Sequence, residues 1–94
     1  MRLNPKDVAT FQEMLRETDP AGRAFLFGSR VDDRRRGGDI DIYLEASRHI
    51  DIRTALALEY RLTSVCDEKV DLLVKNPGQA DQPIHVIARQ GIPL

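Results

Sequence analysis

The segment Asp39-Ile40-Asp41-Ile42 constrains this chain more than any other. Side chains alternate faces along a β-strand, so Ile40 and Ile42 enter a core while Asp39 and Asp41 point together the other way, ~6.5 Å apart along the strand. Nothing in strand packing requires two like charges on one face. A hard divalent cation resolves their repulsion, because Mg²⁺ takes carboxylate oxygens together with water and substrate phosphates. Upstream, the apolar run Ala24-Phe25-Leu26-Phe27 ends in Gly28-Ser29. A glycine there lets backbone N–H groups approach a phosphate, a following helical turn adds its positive end, and the serine hydroxyl can donate one more hydrogen bond. Together these features read as a metal-and-phosphate site.

The remaining elements arrange themselves around that segment. Asn4, Pro5 and Asp7 suit the cap, first position and first turn of a helix that carries Val8, Phe11 and Leu15 at helical spacing, with Met14 beside them. The run Thr18-Asp19-Pro20-Ala21-Gly22 ends it with turn chemistry. A strand over 24–27, a charged loop over 30–38 and a second strand over 39–45 follow. A helix over roughly residues 51–65 presents Ala55, Leu58, Leu62 and Val65 as one stripe, extended by Ile52. Lys69 to Lys75 is a third strand, and residues 81 or 82 to 90 form a last short helix with Ile84, Ile87 and Ala88 as its buried side and Gly91 as its stop. A helical connection requires the second and third strands to be parallel neighbours or to be separated by another strand. The expectation is an α/β (α+β) fold, a small mixed sheet backed by helices, in a single domain over residues 1–94.

Asp71 is a carboxylate inside the otherwise apolar strand Val70-Asp71-Leu72-Leu73-Val74. Aspartate is depleted in strands and costly to bury without a partner. If this strand lies beside Asp39 and Asp41, the three acids converge, and a pair of metal ions ~3.5–4 Å apart could satisfy them and clamp both oxygens of an in-line phosphoryl displacement.

Gly28-Ser29-Arg30, then Asp39-Ile40-Asp41-Ile42, then Val70-Asp71-Leu72-Leu73 resembles the minimal nucleotidyltransferase family of the DNA polymerase beta superfamily. The resemblance covers nearly the whole chain. It implies a polymerase beta-like fold and transfer of a nucleoside monophosphate, usually from ATP, with release of pyrophosphate. Gly28 and Ser29 match the phosphate-binding turn, and Arg30 matches a basic residue often found after it. Asp39 and Asp41 match ligands shared by two Mg²⁺ ions, for which Mn²⁺ can substitute, and Asp71 matches a third ligand near the attacking group. Gly38 stands where the family often has serine, and Val31-Asp32 replaces a small residue followed by glycine. Family members of this size often occur beside a small helical HEPN-type toxin, which the nucleotidyltransferase neutralises, in some cases by attaching adenylate to it.

Composition narrows the alternatives. Ninety-four residues suffice for one core, and three helices with three strands leave nothing to form an acceptor-binding lobe. A partner protein or a second copy must then supply that lobe. A net charge of −1 argues against direct nucleic-acid or membrane binding. A single cysteine excludes an internal disulfide and suits a reducing cytoplasm, and neither a signal peptide nor a membrane-spanning apolar run is visible. Arg34-Arg35-Arg36 reads as a solvated loop paired with Asp32 and Asp33, and His49 and His85 read as surface residues. Cys66 reads as core or half-buried, Tyr43 either flanks the acids or simply packs, and Glu45 lies ~13 Å along the strand from Asp41, too far to share an ion. The expected activity is metal-dependent nucleotidyl transfer from ATP to a partner protein. The alternatives are a catalytically inactive nucleotide-binding antitoxin or interaction module, and a transferase acting on RNA or a small hydroxylated molecule.

Overall fold

The computed structural model describes residues 4–28, 40–66 and 68–94. The chain runs α1 (Pro5–Thr18), β1 (Arg23–Phe27), β2 (Ile40–Glu45), α2 (Ile52–Val65), β3 (Val70–Lys75), α3 (Pro83–Arg89) and β4 (Ile92–Pro93). The strands form one mixed sheet in the order β3-β2-β1-β4. β2 is antiparallel to β1 and parallel to β3, while β4 is antiparallel to β1. The helical connection between β2 and β3 thus joins parallel neighbours, and the sheet carries a fourth strand beyond the three expected.

Local chemistry accounts for the helix starts. The Asn4 side chain accepts from the Lys6 N–H at 2.8 Å ahead of Pro5, and Asp51 accepts from the Thr54 N–H at 2.8 Å. That backbone bond and a second one from the Thr54 side chain hold the Asp51 carboxyl below its ordinary pKa. Gly91, just past α3, leaves room for β4 to reach the sheet, since a Cβ there would stand 2.2 Å from the Leu26 carbonyl oxygen.

Two layers of side chains cover the sheet. Helices α1 and α2 close one face over Phe11, Leu15, Leu26, Ile40, Ile42, Leu44, Leu58, Leu62 and Val70. The other face carries a smaller cluster of Phe25, Tyr43 and Ala88, with Phe27 and Leu73 against it. Here the reading of α3 needs correction. Ile84 and Ile87 are exposed, at 40% and 59%, and the residue that turns inward with Ala88 is His85, at 1%. The reason is the surface it meets. The Tyr43 ring stacks on Phe25 at 6.0 Å, the flat imidazole of His85 continues the stack at 5.8 Å from Tyr43, and His85 Nδ1 accepts from the Gln82 N–H at 3.0 Å. Ile52, expected to extend the α2 stripe, is exposed at 72%. His49 is exposed and Cys66 half-buried, as read from the sequence.

Asp19 is more than a turn residue. It is buried, and its carboxylate accepts from both the backbone N–H and the hydroxyl of Ser47. Burial alone would push its pKa up, but the Ser47 and Ala21 hydrogen bonds and the Arg48 guanidinium hold it below the ordinary carboxylate value. β3 forms one edge of the sheet, and α2 caps that edge: Thr63 Oγ1 accepts from the Val70 N–H at 3.2 Å and Glu59 Oε2 from the Leu72 N–H at 2.7 Å. No helix among the described residues is long and apolar enough to cross a membrane.

Candidate active site

Register brings the acids together. Asp41 is the second residue of β2 and Asp71 the second of β3, and the two are direct partners across the parallel pair. Adjacent strands lie ~4.8 Å apart, so the two side chains leave the sheet side by side. Ile40, Ile42 and Val70 fill the core on the opposite face, which sends Asp41 and Asp71 outward on the face that also carries Tyr43. At ~5 Å, two unit charges repel by about 1 kcal/mol in water and about 3 kcal/mol at a protein surface.

Gly28 closes the row on the far side of β2. Phe27 is the register partner of Asp41, and Gly28 follows it with φ +77. A Cβ at Gly28 would fall 2.2 Å from Asp41 Oδ2, so the carboxylate occupies the space that any other residue's side chain would take. The left-handed backbone and the missing Cβ are therefore both needed to set Asp41 against this turn. Ser29, Arg30 and Asp39, together with Arg34-Arg35-Arg36, lie outside the described residues.

Asp71 has a cation beside it. Lys69 Nζ stands 3.5 Å from Asp71 Oδ1, with side-chain exposures of 67% and 44%. The sequence reading passes over Lys69, although the two-residue step to Asp71 on a strand is the signal that puts both on one face.

The donor set suits a hard cation. Among the described residues no group of three or more His, Cys, Asp and Glu side chains could hold a metal ion. Two adjacent carboxylates remain, and Mg²⁺ is ordinarily bound by one or two carboxylates, with waters and substrate phosphates completing its shell.

Further along the same face the chemistry changes. Tyr43 is fully buried under α3, so it packs and does not flank the acids. Its hydroxyl lies toward Arg89 without a hydrogen bond of good geometry. Glu45 is engaged by Arg89 Nε at 3.1 Å, and Arg89 also makes a two-pronged bond to Asp81, which Lys75 approaches at 3.4 Å. Arg89 holds the Asp81 carboxyl below its ordinary pKa, and Asp81 in turn raises that of Arg89. This network ties α3 to the sheet and leaves Glu45 no role beside Asp41. A groove of about 360 Å³ between α2 and β3, lined by Ile52, Leu56, Leu72 and Val74 among others, opens on the opposite face from the acids.

A family model described as polymerase beta, nucleotidyltransferase matches residues 10–94. No curated protein sequence matches the chain significantly. Among solved structures, a complex of the tri-AMPylated HEPN toxin of Shewanella oneidensis with its MNT antitoxin contains a similar chain, 28% identical, with a TM-score of 0.59 over 73% of this chain and 53% of that one. A toxin–antitoxin structure with AMP-PNP is 30% identical, with a TM-score of 0.64 over 77% of this chain and 57% of that one. A further structure from Shewanella oneidensis shares the fold over 98% of this chain and 71% of that one, with a TM-score of 0.71 at 19% identity. The chain thus spans about half the length of the first two of these solved relatives, at 53% and 57%. With a match over residues 10–94 and a mixed sheet that pairs Asp41 with Asp71 and sets Gly28 against the Asp41 carboxylate, the chain belongs to the polymerase beta nucleotidyltransferase family.

Proposed function

We propose that this chain is a metal-dependent nucleotidyltransferase that moves AMP from ATP onto a partner protein, the pairing being that of an antitoxin with a HEPN-type toxin. The observation that carries the reading is the direct pairing of Asp41 with Asp71, with Gly28 folded against the Asp41 carboxylate. Support for the acceptor comes from the similar chains: one stands beside a tri-AMPylated HEPN toxin, another was solved with AMP-PNP. Asp39 and Asp41 would be shared by two Mg²⁺ ions, with Asp71 as the third ligand. When bound, these ions supply charge neutralisation on the triphosphate and on the oxygens that attack and leave.

The chain's own groups have definable tasks. Gly28 leaves the turn low enough for the triphosphate to lie over its backbone, and Ser29 and Arg30 supply a hydroxyl and a cation toward the phosphates. An acceptor hydroxyl oxygen attacks the α-phosphorus, the bond to the bridging oxygen of the β-phosphate breaks, and pyrophosphate leaves with the electron pair. In this reading Asp71 takes the acceptor proton, a role that its partly solvent-open carboxylate permits. The single half-buried cysteine suits a reducing cytoplasm.

The test uses the intact chain with a HEPN-type partner protein and ATP labelled at the α-phosphorus. Label should move to the partner with release of pyrophosphate, and Asp41→Asn should slow transfer at least about a thousandfold, roughly 4 kcal/mol of transition-state stabilisation. Neutralisation of the partner by wild type and Asp41→Asn alike, with no label moved, would instead establish an inactive binding module.

A further inference from the structure

We propose that Lys69 is a phosphate-binding residue for the nucleotide, parked on Asp71 until a divalent cation takes that carboxylate. The inference rests on the metal-dependent reading above and adds a residue to it. Lys69 and Asp71 are two residues apart on one strand edge and therefore share a face, and the ammonium lies 3.5 Å from Asp71 Oδ1. The Lys69 backbone is fixed, because its carbonyl accepts from the Ile40 N–H at 2.9 Å at the mouth of the β2–β3 pair. Its side chain is not: it is 67% exposed. Lys75, six residues on and on the same face, is the counterexample, with a side chain only 16% exposed and turned to Asp81 in the α3 network. The lysine that ends β3 is packed into the structure, while the one just before β3 stands loosely beside a carboxylate pair.

Exposed ion pairs of this kind contribute about 0.2–1 kcal/mol, so the ammonium cannot hold Asp71 against a divalent cation. Displacing it leaves a cation with no partner beside the acids. A phosphate oxygen in the same coordination shell as Asp71 lies ~3–4 Å from the carboxylate oxygen, given metal–oxygen distances of ~2.1 Å. The ammonium already stands at that radius, so a change of side-chain rotamer carries it from carboxylate to phosphate with no backbone motion. Lysine binds phosphate as a point charge on a flexible stem, which suits a group that must change partners. The same residue thus opposes metal binding when no nucleotide is present and favours nucleotide binding once metal is in place.

Those opposite signs make the test. Lys69→Met keeps the apolar stem and removes the charge, and Lys69→Arg keeps the charge. Mn²⁺ binding without nucleotide is read by electron paramagnetic resonance, and Mg²⁺·ATP binding by calorimetry, both at low ionic strength. Lys69→Met should bind free Mn²⁺ about two- to fivefold more tightly and Mg²⁺·ATP about tenfold more weakly, while Lys69→Arg stays within about threefold of wild type in both. Unchanged Mg²⁺·ATP affinity, or weakening of both ligands together, would overturn the proposal, the second because it marks a merely structural residue. Asp71→Asn separates the layers of the argument. If it leaves Mn²⁺ binding intact, the metal reading itself fails; if it abolishes Mn²⁺ binding while Lys69→Met leaves nucleotide affinity untouched, only the role of Lys69 fails.

Discussion

Gly28→Ala is the sharpest probe of how Gly28 sits against Asp41, the register partner of Asp71. The new methyl meets two obstacles. At φ +77 an L-residue is in the left-handed region, which costs roughly 1–2 kcal/mol. The Cβ would also stand 2.2 Å from Asp41 Oδ2 and 3.1 Å from its carboxyl carbon, so the carboxylate must turn away. Holding that side chain about 30° off its rotamer costs a further ~0.5–1.5 kcal/mol. Together the substitution should remove roughly 1.5–3.5 kcal/mol, which for a chain of this size lowers Tm by roughly 6–28 °C. The steric part belongs to Asp41 and can be isolated by a double-mutant cycle. Asp41→Ala removes the clashing atoms, so the double variant should be less destabilised than the sum of the singles by about 0.5–1.5 kcal/mol. Urea unfolding in metal-free buffer measures all four proteins, and a thermal scan with and without Mg²⁺·ATP measures the ligand. A ligand at ~100 times its Kd stabilises wild type by about 2.7 kcal/mol; Gly28→Ala should lose most of that shift, because its Asp41 carboxylate is displaced. Additive single effects, or a full Mg²⁺·ATP shift in Gly28→Ala, would refute the steric coupling.

Other perturbations test the frame. Asp19→Ala leaves the N–H and hydroxyl of Ser47 without their acceptor and should cost about 1–3 kcal/mol in urea unfolding. Because the folded-state pKa of Asp19 lies below the unfolded one, its contribution is full above pH ~4 and is lost as pH falls through the folded value; the wild-type advantage over Asp19→Ala should shrink over that acid range. Gly91→Ala drives a methyl to 2.2 Å from the Leu26 carbonyl oxygen, a backbone atom that cannot turn aside, and should cost about 1–3 kcal/mol with loss of hydrogen-exchange protection at Leu94. Tyr43→Phe removes a buried hydroxyl that has no hydrogen bond of good geometry and should raise stability by about 1 kcal/mol, read as a higher urea midpoint.

What was legible in the sequence was whatever depends on neighbours along the chain. The start of α1 follows from Asn4 and Pro5, and the two faces of β2 from strict alternation. What stayed hidden depends on contacts across the fold. Asp19 reads as a turn residue because its partner, Ser47, lies 28 residues away. The inward side of α3 cannot be phased from its own residues, since Ile84, Ile87 and Ala88 make an acceptable stripe. The rings of Phe25 and Tyr43 select the imidazole of His85 instead. β4, at two residues, is too short to show any period. Asp41 and Asp71 fall on one face by alternation alone, but their direct pairing needed the parallel register, which a helical connection permits without requiring.

The capped edge of β3 has a consequence for how this small sheet survives among other chains. An exposed strand offers its outward N–H groups as a template on which a stray peptide can assemble, and that invitation is how sheets grow into aggregates. Here the outward N–H groups of Val70 and Leu72 already belong to Thr63 and Glu59. Two polar side chains on a helix thus act as a lock against recruitment of foreign strands, and they do so without proline, bulge or edge lysine at either position. A chain that loses Glu59 keeps its core and its acids, yet reopens the Leu72 N–H, next to Asp71, to passing strands.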